Sequence, residues 1–115
     1  MKEVKNWKEV ERRKAEDGRV RIAYEFAGYY IFVADACYMP GGLKIEAEAI
    51  DQNSYRPSIY IDNSFGQQTQ KIKIQTTSWG ALEIDEIDKV LAGYTEAQTV
   101  AHEIKNAFPE CFSEN

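Results

Sequence analysis

The chain has 115 residues, 43% of them hydrophobic and 29% charged, with a net charge of −5. That length sets a single domain able to bury about two-thirds of its unfolded surface, and the composition lies in the globular range, so disorder is not expected except at the ends. No apolar run nears the ~20 residues needed to cross a bilayer. The charged start Met1-Lys2-Glu3-Val4-Lys5 lacks an apolar signal segment, so the sequence reads as one soluble, cytoplasmic domain over 1–115.

Residues 3–16 hold no Gly or Pro and are rich in Lys, Glu and Arg, which are good helix formers. Val4, Trp7 and Val10 recur at three-residue intervals, so this stretch predicts a helix with a narrow apolar stripe, ended by Asp17-Gly18. From residue 19 the period changes. Val20, Ile22, Tyr24 and Phe26 alternate with Arg19, Arg21, Ala23 and Glu25, which predicts a half-buried strand over 19–26, and Ala27-Gly28 turns the chain. Residues 29–38 are apolar on both parities and predict a central strand covered on both faces, at least over its first half. Met39-Pro40-Gly41-Gly42 is a turn. Leu43, Ile45, Ala47 and Ala49 alternate with Lys44, Glu46 and Glu48 to give a strand over 43–50. Further strands are expected at 58–62, after Pro57, and at 69–78.

Asp85 is a candidate N-cap for a helix running to Ala92, with Gly93 as its C′ residue. Thr95 and Gln98 have capping-box spacing for a second helix over 96–107, whose apolar face is Ala97, Val100, Ala101, Ile104 and Phe108. One long helix kinked at Gly93 fits the same stripe. The expected fold is therefore α+β: an N-terminal helix, an antiparallel meander of about five strands, and two C-terminal helices (or one kinked helix) packed on one face.

Little in the sequence has the spacing of a catalytic or metal site. The two cysteines and one histidine cannot supply four zinc ligands without carboxylates, and Cys37 reads as a small core residue. His102 lies in Ala101-His102-Glu103-Ile104-Lys105-Asn106, where Asn106 stands in the place of the second histidine of a zinc-protease helix. No serine or cysteine has a nucleophile setting, so no catalytic residue, metal or cofactor is expected. Asp35, inside an apolar segment, reads as a strand-end residue bonding a turn.

The charge is uneven. Residues 1–21 carry eight basic and five acidic side chains (+3), and residues 22–115 carry six and fourteen (−8). Lys2, Lys5, Lys8, Arg12, Arg13 and Lys14 are candidate phosphate contacts, although Glu3, Glu9, Glu11 and Glu16 share their segment. Glu83, Asp85, Glu86, Asp88 and Glu96 cluster around the starts of the C-terminal helices, which suits both helix-dipole compensation and a docking surface for a basic partner, including a nucleic-acid-binding protein. Tyr38, Tyr55 and Tyr60 fall at or near strand ends, where aromatic side chains anchor interfaces.

The stretch Thr77-Ser78-Trp79-Gly80-Ala81-Leu82-Glu83-Ile84-Asp85-Glu86-Ile87, continuing to Gly93-Tyr94, resembles small accessory proteins carried by phages and conjugative elements of Gram-positive bacteria. That group includes anti-CRISPR-type inhibitors. The resemblance implies a small, non-enzymatic, intracellular partner-binding protein and carries over no site residues. The sequence thus favours a protein-binding accessory or inhibitor module using acidic and aromatic surface. The alternative is a nucleic-acid-associated protein using the basic first helix. Neither reading involves a membrane.

Overall fold

The computed structural model describes residues 3–36, 42–53, 56–63, 72–75, 81–84 and 87–109. Its strands are β1 (Lys8–Lys14), β2 (Val20–Phe26), β3 (Tyr29–Asp35), β4 (Leu43–Ala49), β5 (Ser58–Asn63), β6 (Ile72–Gln75) and β7 (Ala81–Ile84). They form one antiparallel sheet whose spatial order is the chain order. The helices α1 (Ile87–Val90) and α2 (Thr95–Ala107) follow.

The expected N-terminal helix is absent. Residues 8–14 pair instead with β2, Arg12 opposite Ile22 and Lys14 opposite Val20, with a shift of register between Glu9 and Glu11 that leaves Val10 as an extra residue. Every residue of β1 is exposed. An edge strand that lies in solvent on both faces shows no apolar alternation, and its Lys, Glu and Arg content imitates a solvated helix. Such charged composition is what keeps a sheet edge from pairing with another chain. The expected strands correspond to β2 through β6, with β1 and β7 added at the edges, so the protein is mostly sheet.

One face of the sheet carries the core. Ile22, Tyr24, Tyr29, Ile31, Val33, Leu43, Ile45, Ala47, Ile59 and Ile61 are buried there, with Val20 and Phe26 packed at the margin. This is the parity that the alternation of 19–26 requires. α2 lies over this face against β3 and β5 and buries Ala97, Val100, Ala101 and Ile104, the stripe expected at helical spacing. Gly93, at φ +88°, separates α1 from α2, so two helices form rather than one kinked helix. The Thr95 capping box does not form. Tyr94 is the N-cap residue without a side-chain cap bond, and Gln98 Nε2 donates to the Asp88 carbonyl at 3.2 Å. Trp7 closes the end of the core, its ring 5.5 Å from Tyr24, 6.0 Å from Phe26 and 6.2 Å from Phe108.

The β2–β3 hairpin turns on Ala27 (φ 50°) and Gly28 (φ 79°), the two positive-φ residues of a tight I′ turn. A Cβ on Gly28 would lie 2.7 Å from Arg56 Nη1 and 2.9 Å from Glu96 Oε2, the two ends of an ion pair that ties the first turn of α2 to the segment before β5. Gly28→Ala is therefore expected to destabilise by about 1–2 kcal/mol from left-handed backbone strain, plus the loss from displacing that pair. Chemical denaturation of the variant measures this. A change within about 0.5 kcal/mol, the size of an inert surface change, would mean the turn relaxes without cost.

Tyr29 supplies a second test of this corner. It is fully buried, and its hydroxyl donates to the Pro57 carbonyl at 2.7 Å. Burial pushes its pKa up from 10.0 to about 12, against the pull of the Arg56 guanidinium. A hydroxyl that holds its proton more tightly when folded contributes stability that is whole below the ordinary tyrosine value and is lost as pH rises through the folded one. Stability should thus fall between about pH 10 and pH 12, and Tyr29→Phe should flatten that fall. Denaturant midpoints across this range are the measurement.

Candidate functional site

The second face of the sheet is built by the other parity of each strand. Cross-strand partners share a face, so the pairings can be followed as rows. One row runs Glu11, Ala23, Phe32, Glu46, Tyr60, Lys73, Glu83 across all seven strands. Beside it, Arg13, Arg21, Ala34, Lys44 and Asp62 form a second row. Lys8, Glu25, Tyr30 and Glu48 form a third on the other side. The α2 contacts to β3 and β5 lie on the core face, whereas Phe32, Glu46 and Tyr60 keep partial or full exposure on this one.

This corrects the expectation that β3 is covered on both faces. Tyr29, Ile31 and Val33 are buried under α2, whereas Tyr30, Phe32 and Ala34 point the other way and are only half-buried. Tyr30 and Phe32 stand 6.1 Å apart, and the Arg21 guanidinium sits over the Phe32 ring at 4.6 Å, a cation–π contact. Tyr60 continues the aromatic surface on β5. Burial, and next the Asp62 carboxylate, hold its hydroxyl above the ordinary tyrosine value. Between β4 and β5 lies a shallow depression of about 330 Å³ whose rim includes Glu46, Glu48, Ser58 and Tyr60. The sequence signal for this patch was the double-parity apolar run of β3 set between two strictly alternating strands.

The acidic residues expected to act together are divided. Glu96 pairs with Arg56, and Asp88 Oδ1 lies 2.9 Å from His102 Nε2, joining α1 to α2. Glu83 occupies the sheet row that contains Tyr60, through Lys73. Asp85, Glu86, Tyr38 and Tyr55 lie outside the described residues, as do Cys37 and Cys111. Asp35 is half-buried at the end of β3, and its Oδ2 accepts the Val20 N–H at 2.9 Å, so it bonds the start of β2 rather than a turn. Contact with Asp88 is the one hydrogen bond of the His102 imidazole among the described residues, and no described group of three or more His, Cys, Asp or Glu is placed to hold a metal ion.

The basic first segment is largely neutralised by its own neighbours. Arg12 donates to Glu3 at 2.7 Å and to Glu9 at 2.5 Å. Arg13 pairs with Glu11, Lys8 with Glu25, and Arg19 with Asp17. Each pair is exposed and adds little stability, but together they leave no bare cationic stripe on β1. No described helix is long and apolar enough to cross a membrane. Comparison with protein-family models, curated proteins and solved structures found no match to this chain.

Proposed function

We propose that this chain is a non-enzymatic protein-binding module and that the helix-free face of its sheet is the docking surface. The observation that carries this reading is the set of half-buried aromatic side chains Tyr30, Phe32 and Tyr60 on the face opposite the core. Rigid aromatic side chains at the centre of a surface dominate binding energy where proteins meet. Apolar patches on a monomer commonly mark such sites. A role as an accessory or inhibitor protein of a mobile genetic element rests on the resemblance of residues 77–94 alone.

The sheet face is favoured over the helix starts because Asp88 and Glu96 already hold partners within the chain. Direct nucleic-acid binding by residues 8–14 is disfavoured because the helix it needs is absent and its arginines are engaged with carboxylates. The test is capture of a partner on the immobilised protein, followed by calorimetric titration of that partner with Tyr30→Ala, Tyr60→Ala and His102→Gln. Each tyrosine variant is expected to weaken binding by roughly thirtyfold, the cost of losing an interface anchor, with unchanged circular dichroism. His102→Gln, on the helix side, should bind as the parent does. Parent-like affinity in both tyrosine variants would remove the sheet face as the docking surface.

A further inference from the structure

Given the docking surface proposed above, on which this step rests, we infer that its occupant is an extended protein segment with arginine or lysine at alternate positions, seated along β4 over the Glu46–Glu48–Tyr60 depression. The distribution of paired and unpaired carboxylates carries the argument. Glu3, Glu9, Glu11, Asp17, Glu25 and Glu96 each have a cationic partner within the chain, and Asp88 has the His102 imidazole. The side-chain carboxylates of Glu46 and Glu48 have no hydrogen bond or ion pair with any described residue, although both line the depression. They are two residues apart on one strand, so they share a face at about 6.6 Å. Lys44 stands one repeat from Glu46 on its other side, on the same strand and face, so Glu48 is the carboxylate of the pair with no cation of β4 beside it, and it is there that the pair favours a cation from outside.

The same face already shows how it holds a guanidinium. The Arg21 guanidinium sits over the Phe32 ring, and Phe32 is paired across the sheet with Glu46. Tyr60 is the partner of Glu46 on the opposite side, so it offers a second aromatic ring beside the same carboxylate. An extended chain repeats its side-chain direction every two residues, which matches the spacing of Glu46 and Glu48. One basic side chain then meets Glu46 and Tyr60, and the next meets Glu48.

The test is a resonance titration of the isotope-labelled protein with three capped peptides at millimolar concentration: Ser-Arg-Ser-Arg-Ser, Ser-Gln-Ser-Gln-Ser and Ser-Glu-Ser-Glu-Ser. The arginine peptide is expected to shift amides of β4 and β5. The joint variant Glu46→Gln with Glu48→Gln should weaken it by roughly three- to tenfold, the scale of two exposed ion pairs. Glu16→Gln with Glu103→Gln removes the same charge from carboxylates that have no ion pair with a described residue but lie elsewhere, and should leave binding unchanged. Equal weakening by both joint variants would reduce the effect to net charge and overturn the inference. Equal shifts with the glutamine peptide would leave the sheet face as a docking surface but overturn the basic occupant. Arginine-peptide shifts confined to other elements, or no shift at all, would overturn the inference. The sheet face itself is then judged by the Tyr30 and Tyr60 variants with the captured partner. A thymidine oligonucleotide that moves the β4–β5 amides in place of the peptide would make the occupant a nucleic acid and overturn the proposal.

Discussion

Trp7→Ala is expected to lower stability by about 3–5 kcal/mol, the usual cost of truncating a buried large aromatic side chain. Trp7 is 3% exposed and meets three rings, two from β2 and Phe108 from beyond α2. It joins the segment before β1 to the segment after α2, so its loss opens the core where the two meet. Trp7→Phe separates shape from polarity. The indole Nε1 has no hydrogen-bond partner among the described residues, so phenylalanine gives up no hydrogen bond to them, and the smaller cavity it leaves should cost about 1–2 kcal/mol, less than alanine does. Denaturant midpoints of the two variants check both values. Equal, small losses would mean that residues 3–7 are not docked.

Ile104→Ala should cost about 2–5 kcal/mol. Ile104 is fully buried in the C-terminal half of α2, facing the sheet. Because α2 is the cover for the centre of the sheet, the cavity opens at the most heavily packed layer and has little room to collapse. In a domain whose total stability is about 5–15 kcal/mol, such a loss moves the denaturant midpoint while leaving the slope, which tracks the area exposed on unfolding, unchanged. A loss below about 0.5 kcal/mol, as for a neutral surface substitution, would mean that α2 is not packed as described. Together the variants test the two closures of the core, one by the helix and one by the N-terminal segment.

Residues that bury one side of a regular element were readable from sequence. β2 and β4 declare themselves by strict alternation, and α2 by Ala97, Val100, Ala101, Ile104 and Phe108 at helical spacing, because in each the core imposes the period. β1 was misread because it buries neither side. Its strand conformation is imposed by pairing with β2, a tertiary effect that overrides helix propensity. The candidate site was hidden for a related reason. Tyr30 and Phe32 are apolar whether covered or exposed, so the run over β3 looked like a doubly buried strand. The acidic clustering near the C-terminal helices was visible, but the ion pairs that use up Glu96 and Asp88 come from Arg56 and His102, and only the fold brings those together. Reversing Asp88 and Glu96 would therefore perturb the helix junctions and confuse folding with binding.

The coincidence of spatial and chain order in the sheet has a consequence for how the protein is made. Each strand pairs with the one just synthesised, so every step closes a short loop, and hairpins of this kind form in about 1–10 μs. Translation, at about 5–20 residues per second, is far slower. The sheet can therefore zip up strand by strand as the chain lengthens, while α2, which covers its apolar side, is added only after β7. For an interval on the order of seconds the growing chain displays Ile31, Ile45 and Ile61 as an open greasy slab. The charged β1 guards the edge of that slab but not its surface. Nascent chains halted between β5 and α2 should accordingly be chaperone clients, whereas chains that include residue 108 should be released, the core having received its last aromatic ring.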